Sequence, residues 1–281
     1  MIASLGRTAL AAVAPRKKAA VATPGEIFEQ TIAVRPRELV RDYIREVGGD
    51  PRAYRGQLPP HLFPQWGFPL AAKTLRNVPY PLARVLNGGC RLEINGRLPD
   101  DQPLTVRAHL ESVDDNGRRA VLVQRVTTGT AADPELVVAT LFAIVPLAKR
   151  APGEPREHPR VPADADEIAY WKLRADAGLS FAILTGDFNP VHWSRRYARS
   201  FGFRSTILHG FATMARAFEG IAANRFAGDV AALAEFDVKF TRPLLLPAQV
   251  GLYIKDRSLF VGSAPGGPAF MTGTFRRNDD E

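Results

Sequence analysis

Apolar residues recur at helical spacing in two stretches of the chain and alternate with polar ones over much of the remainder. Leu39, Val40, Tyr43, Ile44 and Val47 share one face of a short amphipathic helix over 36–47, which Gly48-Gly49 terminates. Phe211, Met214, Ala215, Phe218, Ile221 and Ala222 follow i, i+3, i+4, i+7 spacing, so 210–226 is predicted as a helix with one wide apolar face wrapped by strands. Strand patterns run over 92–94, 104–110, 120–126 and 136–145, with turn clusters such as Asp114-Asp115-Asn116-Gly117 between them. They return over 236–240, 250–255, 259–261 and 269–275, after a polar lead-in at 166–177 that reads as helical and a loop that follows it.

The order of elements therefore occurs twice, and residues repeat with it. Gly67-Phe68 with Ala72-Lys73 matches Gly210-Phe211 with Ala215-Arg216 at a separation of 143, and Pro99, Pro103 and Val106 match Pro243, Pro247 and Val250 at 144. Two independent blocks at nearly one separation argue for a duplicated fold. Pro152, Pro155, Pro159 and Pro162, set among charges in 149–166, mark a linker between the copies. The expected organisation is a basic N-terminal arm (1–33), a first half (34–152) and a second half (153–281).

Composition narrows the class. The 281 residues are 46% hydrophobic, enough for a substantial core, and 37 Lys and Arg against 29 Asp and Glu give a net charge of +8. That charge is spread along the chain and not interleaved with aromatics, which argues against a nucleic-acid platform and suits a polyanionic small molecule or carrier equally well. No uncharged apolar run approaches the roughly 18 to 20 residues of a membrane span. Cys90 is the single cysteine, which excludes an intramolecular disulfide or a cysteine-rich zinc site and fits a reducing compartment, so the cytoplasm is the expected location. Its expected role is that of a small buried hydrophobe.

The densest chemical signal is Leu184-Thr185-Gly186-Asp187-Phe188-Asn189-Pro190-Val191-His192-Trp193, followed by Gly202-Phe203 and Ile207-Leu208-His209-Gly210. In isolation, Asp-x-Asn-Pro is a turn whose Asp accepts backbone hydrogen bonds. The ordered set resembles the hydratase 2 motif of MaoC-like dehydratases, the R-specific enoyl-CoA hydratases. Leu58-Pro59-Pro60, Phe63-Pro64-Gln65 and Phe68-Pro69-Leu70 are similar to the substrate-side half of two-domain members, so the resemblance covers about 35–275. It departs at Ser194, where the family often has Asp, and at Arg204-Ser205-Thr206, where Pro often stands. The resemblance implies an α+β double hotdog, each half a long central helix wrapped by an antiparallel sheet, the sheets meeting edge to edge. It also implies cofactor-free, metal-free, reversible hydration of trans-2-enoyl thioesters of coenzyme A or acyl carrier protein to (R)-3-hydroxyacyl thioesters, within fatty-acid metabolism.

The residues suit that chemistry on their own terms. Adding water across an unsaturated thioester requires a proton acceptor, a proton donor and donors to the enolate oxygen. Asp187 and His192 supply the first two, with the assignment of base and acid open, brought together by a tight loop that Asn189-Pro190 bends. Gly210 opens the apolar helix, so its backbone N–H is free at the positive end of the dipole and no Cβ blocks the approach of a carbonyl. Asn189 is expected to hold the loop or substrate, and Phe240, by resemblance, lines the thioester pocket. Arg195, Arg196 and Arg204 are candidates to meet carrier phosphates, and His209 is expected to be structural. The matching positions in the first half are Ile44 and Gly49, so that half is expected to be non-catalytic. A hotdog acyl-thioesterase and a non-catalytic acyl-thioester binding subunit are the rival readings, and pairing of chains into a homodimer is left open.

Overall fold

The computed structural model describes residues 21–148 and 158–278, so most of the N-terminal arm and the centre of the linker lie outside the described residues. The first half comprises β1 (Phe28–Ile32), α1 (Arg37–Glu46), α2 (Pro64–Thr74), β2 (Leu86–Ile94), β3 (Leu104–Asp115), β4 (Arg119–Gly129) and β5 (Val137–Pro146). The second comprises β6 (Asp166–Leu173), α3 (Ala177–Thr185), α4 (Arg195–Ser200), α5 (Gly210–Arg225), β7 (Leu233–Phe240), β8 (Ala248–Lys255), β9 (Ser258–Gly262) and β10 (Ala269–Arg277).

All ten strands form one antiparallel sheet in the order β1-β3-β4-β5-β2-β7-β10-β9-β8-β6. Equating β1 with β6, β2 with β7 and so on makes this order a palindrome about the β2–β7 pair. The duplication is thus a double hotdog in which the two sheets fuse edge to edge. At the seam Cys90 faces Val238 and Leu92 faces Phe236, all four fully buried. Glu93 lies opposite Glu235, a like-charge pairing that Arg91 offsets through its 2.8 Å bond from Nη2 to Glu235.

The repeat is visible in side chains as well. Phe68 and Phe211, which the sequence repeat equates, meet edge to face at 4.8 Å between centroids. Leu58 N donates to Leu98 O and Leu208 N to Leu244 O, both at 2.8 Å, so each half ties the approach to its central helix to the strand-connecting loop in the same way. One continuous core runs through both halves, with Trp66, Phe63 and Leu70 of the first packed in it along with Phe218, Ile221 and Phe236 of the second.

Four elements differ from the expectation. The stretch 166–177 is not a helical lead-in, because Asp166–Leu173 forms strand β6 against β8. Its charges suggested a helix, but Tyr170 and Trp171 alternate between solvent and core, which suits an edge strand. The segment that does become helical there is α3, in the stretch read as a loop. β1 falls within the span assigned to the arm, so sheet structure starts before residue 34. The first half's central helix is short, 11 residues with Pro69 inside it, against 16 for α5. No helix among the described residues is long and apolar enough to cross a membrane.

The seam sets a steric limit. Gly89 of β2 leaves no room for a Cβ, which would strike the carbonyl oxygen of Val238 on β7, and a backbone atom in a sheet centre cannot step aside. Gly89→Ala is expected to lower unfolding free energy by about 2 kcal/mol or more, read as a lower urea midpoint. A neutral result would mean that the halves are not joined through this pair.

Candidate active site

The loop after α3 is built residue by residue. Gly186 ends the helix in the left-handed region (φ 81°), with its N–H bonded to Ala182 O at 2.8 Å, so the chain turns sharply and presents Asp187. Asn189 caps the 3-10 turn Pro190–His192, its Oδ1 accepting from Val191 N at 3.3 Å, while its own N–H donates to Asp187 Oδ1 at 3.4 Å. Buried Val191 anchors the turn, and Gly178 of α3 lets it lie close, since a Cβ there would strike the carbonyl of His192.

Asp187, His192 and His209 come together, each offering a ligand-capable atom within 4.8 Å of the others'. His192 Nδ1 lies 2.9 Å from Ile207 O, and a carbonyl only accepts, so Nδ1 carries the proton and Nε2 keeps its lone pair. His209 does the opposite, its Nε2 donating to the backbone carbonyl of Asp187 at 3.0 Å. The two imidazoles stack at 3.5 Å with 24° between planes. In-plane lone pairs of nearly parallel rings do not converge on a common ion, so the arrangement suits proton handling better than chelation.

Burial holds both rings neutral. It lowers His192 below the ordinary imidazole value, partly countered by the Ile207 carbonyl and the Asp187 carboxylate. It lowers His209 to about 3, helped by the neighbouring His192. Asp187 itself is half-buried and reaches solvent.

Gly210 opens α5, and a Cβ on it would come within 2.8 Å of the Phe240 ring, so the glycine lets this aromatic lie over the helix start. Ala212 N and Thr213 N bond the His209 carbonyl at 3.1 and 3.2 Å, which leaves the N–H groups of Gly210 and Phe211 at the open, positive end of the helix. Phe240 also meets Phe211 at 5.6 Å, which in turn meets Phe63 and Phe68 of the first half. Gln65 of α2 donates to Leu184 O at 2.9 Å, so the first half braces the loop directly. Arg195 and Arg196 begin α4 and are exposed, with the exposed aromatics Phe188, Trp193, Tyr197 and Phe201 around them; Arg204 is exposed as well.

The structure thus gathers Asp187, Asn189 and His192 on one loop, and sets Gly210 beneath Phe240 at the start of α5. Sequence reasoning missed the stacking of His209 on His192 and the anchoring carbonyl of Ile207, although the Ile-x-His-Gly block contains both residues. It also left His61 unassigned. That side chain is buried in a polar cluster, 3.0 Å from the Tyr54 hydroxyl and 3.3 Å from Glu219 Oε1.

Residues 148–258 match the family model described as MaoC like domain. Among curated proteins, 3-hydroxyacyl-thioester dehydratase X of Mycobacterium tuberculosis is 36% identical over 104 residues, 36% of this chain and 34% of that protein. A probable enoyl-CoA hydratase 2 of Dictyostelium discoideum is 24% identical over 164 residues, 56% of each chain. The chain thus spans between about a third and just over half of these relatives' length. The crystal structure of HtdX of Mycobacterium tuberculosis superposes with TM-score 0.68 at 22% identity, over 89% of this chain and 100% of that one, showing a shared fold.

The neutral rings make stability depend on acid. An unfolded histidine takes up a proton near pH 6.5, whereas folded His209 does so only near 3. Between those values the unfolded state binds more protons, so stability is full above about pH 6.5 and falls as pH drops, by about 1.4 kcal/mol per pH unit for one such ring. Urea midpoints measured from about pH 7 to pH 4.5 are expected to decline, and His209→Gln is expected to reduce the slope. An unchanged slope would show that His209 charges normally in the folded protein.

Proposed function

We propose that the chain is a hydro-lyase that adds water reversibly to trans-2-enoyl thioesters, giving (R)-3-hydroxyacyl thioesters in fatty-acid metabolism. The observation that carries the reading is the bare Nε2 of a neutral, tautomer-locked His192 beside the Asp187 carboxylate, on a loop next to a helix that opens with Gly210. The names of the relatives, a thioester dehydratase and a probable enoyl-CoA hydratase, support it; the hand of the product rests on the family resemblance.

In this reading water sits between the two side chains. Its oxygen adds to C3 while one of its protons passes to His192 Nε2, and the Asp187 carboxylate accepts the other O–H and favours the resulting imidazolium. The electron pair of the double bond moves onto the thioester oxygen as an enolate, held by the N–H of Gly210. Return of the proton from His192 to C2 collapses the enolate and restores the neutral ring. His192 is thus the base in hydration and Asp187 its orienting partner; the reverse sequence is the dehydration.

Division of labour follows the duplication. The second half (153–281) supplies the chemistry and the first (34–152) the substrate side, where Phe63 and Phe68 wall the site through Phe211. Asn189 holds the loop, Phe240 covers the thioester, and Arg195 and Arg196 meet phosphates of coenzyme A or of an acyl carrier protein. We place the enzyme in the cytoplasm.

With crotonyl-CoA and longer trans-2-enoyl-CoAs, the enoyl-thioester absorbance is expected to fall without thiol release. Asp187→Asn and His192→Ala are each expected to lower kcat by about 10² to 10⁴. Thiol release would replace the reading with a thioesterase, and inertness toward every chain length and carrier would leave a binding subunit.

The Gly210 site gives a separate check. Gly210→Ala must displace the Phe240 ring and is expected to lower kcat/KM about tenfold or more, with Phe240→Leu in the same chain recovering part of the loss. Wild-type kinetics in Gly210→Ala would remove this helix start from the reaction.

A further inference from the structure

We propose that His209 is a positioning residue for the Asp187–His192 pair, tethering the main chain of one member and carrying the ring of the other. The claim deepens the hydratase reading and rests on it for its kinetic consequences, while its geometry stands without a substrate.

His209 occupies the N-cap position of α5, yet its side chain makes no cap bond to that helix. It is 2% exposed and turns instead to the catalytic loop, donating from Nε2 to the Asp187 carbonyl at 3.0 Å. The carboxylate of the same residue lies 3.8 Å from Nε2, too far for a second hydrogen bond. One imidazole nitrogen thus pins the residue whose side chain orients water. The face of that imidazole supports His192 at 3.5 Å, and its other neighbour is the apolar ring of Phe181, 4.9 Å away on α3.

Such a support works only while it stays uncharged, and three features keep it so. Nδ1 of His209 is buried with no hydrogen-bond partner, so a second proton there would enter a site with no acceptor. The ring sits at the positive end of α5, where a cation is disfavoured. The ionisable groups facing it are Asp187, whose carboxylate favours its charge, and His192, whose charged form opposes it. When His192 takes a proton during turnover, His209 therefore remains a neutral aromatic surface beneath a cation, a favourable pairing. A charge on one stacked ring opposes a charge on the other, and the ring with a bare Nε2 beside the carboxylate is His192, so that ring is the one to take the proton.

The tether and the stack separate by substitution. His209→Gln can keep a donor near the position of Nε2 but loses the aromatic face; His209→Phe keeps the face and loses the donor. Imidazole NMR of the full chain between about pH 5 and 9 is expected to show one buried ring without titration, His209, stacked on one that titrates below about 6.5, His192. In His209→Phe, kcat is expected to drop about 10- to 100-fold with KM changed less than about threefold, as for a misplaced catalytic pair. His209→Gln is expected to recover most of kcat at a similar melting temperature, with the His192 titration moved from its wild-type position because the stacked ring is gone. The proposal is overturned if His209 titrates alongside its neighbour, if the Phe variant matches wild type, or if both variants lose activity only in proportion to lost stability. Should wild type hydrate no thioester, the functional reading falls by itself. The silent His209 signal and a displaced His192 titration in the Gln variant would still uphold the positioning role, and their absence would end it.

Discussion

The pairing of β2 with β7 is the constraint on which the rest of the molecule depends. Among the described residues it is the only ladder joining the two halves' strands, and it sets the palindromic order of the ten-stranded sheet. Once those two strands run antiparallel in register, the central helices of both halves share a face and the Phe63, Phe68, Phe211 and Phe240 rings meet in sequence. Burial of Leu92 and Phe236 at the seam contributes about 1.5 to 3 kcal/mol each. An arrangement of two separate hotdog units would leave both strands as unpaired edges, which invite association with other chains. Fusion removes that hazard and places the first half within reach of the second half's Asp187–His192 loop.

The symmetry breaks where the chain approaches each central helix. After the matched tie at Leu58 and Leu208, the second half continues with His209-Gly210 into α5, whereas the first continues with Pro59-Pro60 into a short 3-10 turn. The residue that the repeat equates with Gly210, Gly67, lies inside α2 with its N–H already bonded to Phe63 O at 2.7 Å, so it is no free donor at a helix start. A buried polar cluster crosses the halves. Tyr54 donates to Glu219 of α5 at 2.7 Å and lies 3.0 Å from His61, and Tyr43 donates to the His61 carbonyl at 2.8 Å. Burial, reinforced by Glu219, keeps the Tyr54 hydroxyl protonated and therefore a donor. Gly49 passes against the Glu219 carboxyl with no room for a Cβ. What was a repeat in sequence carries the Asp187–His192–His209 cluster on one side and a structural brace on the other.

Much of this was legible in the chain because it is carried by local signals. Strand alternation, the apolar stripe of α5 and the paired blocks 143 and 144 residues apart identify the duplicated fold. The ordered Gly-Asp-x-Asn-Pro-x-His block identifies Asp187, Asn189 and His192, since the loop that unites them is only six residues long. What was not legible depends on long-range partners. β6 looked helical because the pairing with β8 that makes it a strand involves residues about 80 positions away. The cluster of Tyr54, His61 and Glu219 joins residues up to 165 apart, and no periodicity announces it. His209 lay within the recognised block, but its function depends on ring orientation, which spacing does not encode.

The histidine pair also shows how one environment serves both stability and chemistry, at opposite signs. Burying two imidazoles at the start of a helix is unfavourable in acid, because the unfolded chain is free to protonate them and the folded one is not. A solvent-exposed histidine would avoid that cost, but near pH 6.5 it would be half protonated and unable to accept a proton reliably. Burial removes that competition, while the Asp187 carboxylate, whose side chain still reaches solvent at 29% exposure, leaves a local means of stabilising a charge on the His192 ring. The net effect is an imidazole held neutral by burial beside a carboxylate that favours its charged form. The two influences work against each other: the carboxylate alone would raise the resting charge, and burial alone would suppress it altogether.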